Sequence, residues 1–551
     1  MSPRRRLLGP LETADGMLAR EPHAAWVRRA WPWLVLLLLA SLGCNRGLWT
    51  PDEPREAEIA REMALAPSLI PRLDGQPFTE KPPLYYWVVA AAYRLEGGPS
   101  ALAARSVSAA AGLGTLWLLY CWVRRARSRG AALTAVFMLA TSEQFLVSSH
   151  WVLLDPLLVL MTTLAAWAAW TLLTKPTDDG RVRALFYAAL ILALWIKGPI
   201  GLLLVGAGLA AYCLLERPAA WRRLWPLRGT LLLAGMLVGL GVAVYAVGGR
   251  TALWNWAYVN QLQRLLAPGA TGHREPLLYY AWTLPYTVLP WLPAVLWALG
   301  PSQWQRVATG PDLARYGAIV ALAMVLLLSL AATKRETYLL PALPLLFVCV
   351  GIRAHAWSQR GLQWGTADRL LWGAQVLLLC LYAPAAPLAA WIWRGTPTAF
   401  VIGGLCIGIA TSATLVALCM TDRRRTAAQA ALLTAIVASA VLLALAGPVL
   451  NRTKDMRPFM LALGQRLPAK QAVFALHVDE TLEAEVPFYT GRVLLSLDRR
   501  QGGPLPRWVL VQGMFARPSD PLPPSYHLVM YQAFGPGRSL ALWHTDRPTR
   551  P

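Results

Sequence analysis

GTLLLAGMLVGLGVAVYAVG, residues 229–248, decides the class of the fold: it contains no charged side chain. At about 1.5 Å per residue, a helix of this length covers roughly 30 Å, the thickness of a bilayer's hydrocarbon core. Lipid offers the backbone no hydrogen-bond partner, so such a run persists there as a helix. Comparable runs recur from Trp31 to Leu450, in a chain of 551 residues that is 56% hydrophobic and 15% charged. A soluble domain carries about a quarter charged residues.

The polar residues between the runs set the topology. Arg124, Arg125, Arg127 and Arg129, and later Arg423, Arg424 and Arg425, form short clusters of the kind that mark cytoplasmic loops. The formal net charge of +23 is spread over these clusters and forms no single basic stripe, which argues against nucleic acid. The run from Leu84 to Leu95 is too short to cross, and counting it would send every later basic cluster to the outer side. It is read as an interfacial helix, consistent with Tyr85, Tyr86, Trp87 and Tyr93.

Thirteen spans remain, roughly 31–48, 101–123, 131–149, 152–173, 183–197, 199–215, 229–248, 280–299, 315–332, 338–354, 369–392, 398–420 and 427–448. The first follows Arg4, Arg5, Arg6, Arg28 and Arg29 and lacks a clean cleavage site, so the N-terminus is expected in the cytoplasm. The expected architecture is an all-α polytopic domain over 1–450, with outer loops 49–100, 249–279 and 333–337, followed by a soluble α/β domain over 451–551. In that tail, helical spacing at Met456–Leu467 precedes strand-like runs at Ala472–Val478, Arg507–Gln512 and His527–Gln532. The seven cysteines show no CxxC spacing, which excludes a disulfide framework or zinc motif.

The chemistry-bearing residues gather in the outer loops. Asp52 and Glu53 lie where the first span ends, and partial desolvation there raises a carboxylate pKa and suits a general base. Glu56, Glu58 and Glu62, beyond them, read first as a solvated helix laced with ion pairs. Pro82 and Pro83 stiffen the chain beside Glu80 and Lys81, where a lysine either meets a lipid phosphate or simply snorkels. Asp155, before Pro156, is a carboxylate at membrane depth, read equally as a helix cap or as functional. Arg264 can grip phosphate oxygens, whereas a lone His273 is more often structural. Lys334 and Arg335 run against the positive-inside trend, and a phosphate partner or a local pair with Glu336 accounts for them; Lys197 is equally ambiguous.

Taken in order, these segments resemble the GT-C glycosyltransferases that use polyprenyl phosphate sugars, a class including protein O-mannosyltransferases, and most of all the bacterial lipid A aminoarabinose transferases. The resemblance rests on Asp52-Glu53 with Arg55, Glu58 to Met63, Glu80 to Leu84 with Tyr86-Trp87, Asp155-Pro156, Lys197-Gly198-Pro199, Arg264, His273 to Pro276 and Thr337 to Pro341. It implies an inner-membrane enzyme with a periplasmic site and C-terminal domain, moving 4-amino-4-deoxy-L-arabinose from undecaprenyl phosphate to lipid A with inversion. Asp52 and Asp155, with Glu53, are then the catalytic carboxylates, and Lys81, Arg264 and Lys334 bind the donor phosphate. Arg55, Glu80, Tyr86, Tyr338 and His273 contact substrate, and Glu80 with His273 is the candidate site for a divalent metal. The family often places an acidic residue and a histidine before its loop arginine, where this chain has Asn260 and Gln261. Transfer of another sugar to protein Ser or Thr is the alternative. A lipid-linked sugar transporter would instead place its polar residues near the bilayer midplane.

Overall fold

The computed structural model describes residues 46–546 apart from 176–178, 217, 219, 264–274, 305–310, 360–364, 393–397, 421–423, 469–470, 499–504, 515–521 and 535–537. Chain order begins with a charged helix, α1 (Asp52–Leu65), a two-stranded hairpin (β1, Arg72–Leu73; β2, Gln76–Pro77) and α2 (Leu84–Glu96). The apolar helices follow: α3 (Ala101–Ala126), α4 (Arg129–Ala140), α5 (Glu143–Ser149), α6 (Asp155–Thr174), α7 (Gly180–Lys197), α8 (Ile200–Glu216) and α9 (Leu227–Trp254). After them come α10 (Tyr279–Thr287), α11 (Leu292–Leu299), α12 (Leu313–Leu330), α13 (Leu343–Gln359), α14 (Thr366–Ile392), α15 (Thr398–Cys419) and α16 (Arg424–Lys454).

Among the described residues, eight helices are long and apolar enough to cross a membrane, or nine when the bent pair α4 and α5 counts as one crossing. The expected run 31–48 lies almost wholly outside the described residues. The run 131–149 turns by 70° between α4 and α5, and 280–299 divides into α10 and α11. The run 338–354 begins as a 3-10 turn, Glu336–Ala342, before α13. The segments at these breaks bring Glu143, Gln144, Tyr286 and Glu336 to one cavity. The short run at 84–95 is the separate helix α2, buried through Tyr85, Tyr86, Val89, Ala90 and Tyr93.

Without a hydrophobic drive between helices in lipid, close approach of small residues supplies the packing. A Cβ on Gly351 would stand 2.5 Å from the backbone of Ala135, and one on Gly317 would stand 2.5 Å from the carbonyl of Leu345. Helix α13 is thereby clamped between α4 and α12.

The tail folds as α17 (Arg457–Arg466), β3 (Val473–Leu476), α18 (Glu480–Thr490), β4 (Leu494–Ser496), β5 (Trp508–Met514), β6 (His527–Phe534) and β7 (Arg538–His544). The sheet order is β4-β3-β5-β7-β6, with β3 parallel to β4 and β5 and the remaining pairs antiparallel. The expected boundary at 450 falls inside α16, which continues to Lys454. Phe459, Met460, Leu463, Leu482, Leu510 and Leu542 form the domain's core. Helix α18 packs on this sheet and, through its other face, on α1. Tyr489 Oη accepts from the Leu48 amide at 2.8 Å and Asp455 from the Gly47 amide at 2.8 Å, tying the domain to the entrance of α1.

Candidate active site

Helix α1 carries charge on every face, and its ion pairs are buried. Arg61 forks onto Glu58 through two bonds of 2.7 Å, with Glu58 fully buried. Glu53, expected to be a candidate base, faces away from solvent at 0% exposure. Arg46 binds it at 2.7 and 3.1 Å, Arg105 at 3.2 and 3.3 Å, and the amides of Trp49 and Val152 at 2.7 and 2.9 Å. Burial alone would raise its pKa, but Arg105 and Arg46 outweigh burial and hold it below the ordinary carboxylate value. With its oxygens saturated, Glu53 is a structural anchor joining the start of α1 to α3 and the turn before α6, and it takes no place in the cavity described next.

A polar chamber of about 520 Å3 opens beside α1. Asp52, Arg55 and Glu56 enter it from α1, Glu80 and Lys81 from the loop before α2, Glu143 from α5, Asp155 from α6 and Lys197 from the end of α7. Lys334, Arg335, Glu336 and Tyr338 close it from residues 333–338, and Glu480 reaches in from α18 of the C-terminal domain. Arg55 organises one wall, donating to Glu480 at 2.7 Å and to Asp52 and Glu56 at 3.0 Å each. Lys81 also donates to Glu56, and Tyr86 Oη donates to the other Glu56 oxygen at 2.8 Å. On the opposite wall Lys197 donates to Asp155 at 2.5 Å and lies 4.4 Å from the centroid of the Tyr338 ring. Lys334 donates to the Glu275 carbonyl at 2.9 Å, and Arg335 reaches Asp52 at 3.5 Å.

Burial would push Glu56 up, but Lys81 and Arg55 overcome it and hold the carboxyl at about 2, against 4.5 for an unperturbed glutamate. A depressed folded-state pKa contributes stability that is present above the unfolded value and lost as pH falls through the folded one. The wild-type melting temperature should therefore fall as pH drops from 4.5 towards 2, and Glu56→Gln should flatten that part of the curve in a thermal-melt series.

A second cavity of about 380 Å3 adjoins the first. Its walls are largely apolar, from Leu158, Ile200, Leu203, Leu204, Leu237 and Leu328. The two cavities share Glu80, Lys81, Asp155, Lys197, Thr333 and Tyr338. Two lysines thus stand where a polar chamber meets a greasy groove, the arrangement that suits a phosphate carrying a hydrocarbon tail on one side and a polar group on the other.

Of the residues singled out from sequence, Asp52, Arg55, Glu80, Lys81, Asp155, Lys334 and Tyr338 line the chamber. Tyr86 does not: its ring is fully buried behind Glu56, and its hydroxyl donates to that carboxylate. Asp155 is no cap either, because Leu154 occupies the cap position and the Asp155 carboxylate turns to Lys197. Arg264 and His273 lie outside the described residues. Among the described residues no group of three or more His, Cys, Asp or Glu side chains is placed to hold a metal ion. Sequence reasoning passed over Glu143 and Glu480 and read Glu56 first as part of a solvated, ion-paired helix, whereas it lines the chamber. A glutamate inside the apolar run 131–149 was a usable signal, whereas nothing local marks Glu480.

A family model described as dolichyl-phosphate-mannose-protein mannosyltransferase matches residues 43–254. The undecaprenyl phosphate-alpha-4-amino-4-deoxy-L-arabinose arabinosyl transferase of Shewanella sediminis (strain HAW-EB3) is 30% identical over 314 residues, which is 56% of this chain and 56% of that protein. The protein of the same name from Edwardsiella ictaluri (strain 93-146) is 29% identical over 318 residues, again 56% of each. The match thus spans little more than half the length of these curated relatives. The crystal structure of ArnT from Cupriavidus metallidurans bound to undecaprenyl phosphate superposes with a TM-score of 0.75 at 20% identity, covering 94% of this chain and 98% of that one. Its apo form gives a TM-score of 0.73. The chain is a multi-pass membrane protein that has the fold of ArnT throughout nearly its whole length.

Proposed function

We propose that this protein is a glycosyltransferase that moves 4-amino-4-deoxy-L-arabinose from undecaprenyl phosphate to a phosphate of lipid A, with inversion, on the periplasmic face of the bacterial inner membrane. The observation that carries the reading is the shared wall of the two cavities, with Lys81 and Lys197 at the junction. The polyprenyl chain lies in the apolar groove, the phosphate meets the two lysines, and the sugar projects into the chamber. The curated relatives that match over part of the chain bear the name of this reaction.

As the glycosidic bond breaks, negative charge grows on the leaving phosphate. Fixed cations beside it stabilise the transition state more than the ground state. Lys81 and Lys197 are already held in place by Glu56 and Asp155, so little reorganisation is needed at the moment of reaction. Arg264 belongs to the same role by its place in the loop order, and Lys334 adds charge at the chamber's rim. A lipid A phosphate is anionic and needs little deprotonation, so Asp52 and Asp155 serve to position the acceptor and to steady the oxocarbenium-like sugar.

Purified protein, synthetic undecaprenyl phosphate aminoarabinose and lipid A, read by mass spectrometry, test this directly. Product should form with wild type, and Asp155→Asn should lose at least about 100-fold in rate, the scale of one lost electrostatic contact, with unchanged elution. No product from aminoarabinose or mannose carriers, together with movement of the carrier across vesicles, would replace the reading with transport.

A further inference from the structure

The chamber treats its carboxylates unequally. Asp52 is paired with Arg55 and Arg335, Glu56 with Lys81 and Arg55, Asp155 with Lys197, and Glu480 with Arg55. Glu143 and Glu336 have no cationic partner among the described residues. Glu336 accepts a neutral hydroxyl bond from Tyr279 at 3.2 Å. Its neighbours in the chain are engaged elsewhere, Lys334 with the Glu275 carbonyl and Arg335 with Asp52. Glu143 has a fully buried oxygen with no hydrogen-bond partner.

A partly buried carboxylate without a counter-charge is costly, and residues of this kind often serve a ligand or a partner. The two glutamates come from different elements, Glu143 from the first turn of α5 and Glu336 from the 3-10 turn that packs against it. They are therefore brought together by the fold. Glu336 also stands two positions before Tyr338, whose ring carries Lys197 at the junction of the cavities. One short turn consequently spans from the place where a lipid phosphate would sit to an acidic pocket inside the chamber.

We propose that Glu143 and Glu336 form a subsite for a protonated amino group on the donor sugar, and so select an aminosugar donor over a neutral one. The inference rests on the donor geometry set out under the proposed function. A sugar whose phosphate end faces Lys81 and Lys197 carries its substituents towards this pair. An ammonium there supplies the missing counter-charge to both carboxylates. A hydroxyl or an acylated amine brings no charge, and sites built to hold a charge reject the analogue that lacks it.

The test compares binding of two synthetic undecaprenyl phosphate sugars, the free amine and its N-acetyl derivative, to purified full-length protein, alongside transfer by the same samples. Wild type should bind the amine at least about 10-fold more tightly, the scale of one charge-assisted hydrogen bond. In Glu143→Gln/Glu336→Gln that ratio should collapse to within about 3-fold, through loss of amine affinity alone. Glu336→Gln by itself should show a partial collapse, which keeps the test alive if the double variant does not fold. Equal affinity in wild type, an unchanged ratio in both variants, or equal loss of both donors would overturn the proposal. A preserved amine preference in wild type, lost in the variants, with no sugar transferred would support the subsite and sink the transferase reading, so the two can fail separately.

Discussion

Lys81→Ala should lower kcat/KM for sugar transfer by about 1,000-fold, with most of the loss in kcat. Lys81 is held against Glu56 on the boundary of the two cavities, where, in the proposed donor geometry, the phosphate gains further negative charge as its bond to the sugar breaks. Removing one preorganised donor to a developing oxyanion costs roughly 100- to 1,000-fold in rate. The upper end applies because the variant also leaves Glu56 buried with a single remaining cation, Arg55, and that carboxylate then repels the phosphate. Single-turnover assays on detergent-purified protein measure the effect. A loss confined to KM would mean that Lys81 anchors the lipid without taking part in the chemistry.

Glu53→Ala should be the most destabilising substitution in the outer loops, by about 3–5 kcal/mol, the usual cost of removing one member of a buried ion network. Arg46 and Arg105 are 5% and 2% exposed, and both lose their carboxylate. The amides of Trp49 and Val152 lose their acceptor as well. Glu53→Gln retains a carbonyl oxygen for the amides and should cost less. Thermal melts in detergent separate the two variants, and a change under 1 kcal/mol in Glu53→Ala would show that the network is dispensable.

Much of the membrane domain was legible because hydropathy constrains lipid-facing helices strongly. Among the described residues the apolar runs beyond residue 100 became helices even where α4 and α5 or α10 and α11 break them. The candidate chamber was legible where a charge stood out in the sequence: Lys81 beside two prolines, Asp155 at the edge of an apolar run and Lys334 in a short turn all line it. Helix α1 defeated the same logic. With charged residues on every face, periodicity could not say which side was buried: Glu53 is sealed in an ion network, while Glu56 keeps its expected ion pairs but lines the chamber. Tyr86 was misplaced for the related reason that aromatic residues serve interfaces and interiors alike. In the tail, α17, β3, β5 and β6 followed their patterns. Helix α18 was missed because Pro487 interrupts its pattern, although the Asp479 cap and the first-turn acids Glu480 and Glu483 mark a helix start.

Glu480 has a consequence for biosynthesis. The chamber takes its first wall residue from position 52 and its last from position 480, and Arg55 is held between them. The apolar helices therefore all precede, in chain order, the last residue that closes the chamber. Until α18 has been translated and has docked on α1, Arg55 lacks one of its restraints and the chamber stands open on that side. A half-synthesised chain therefore carries an unfinished chamber, and the last wall to arrive is the one that α18 supplies.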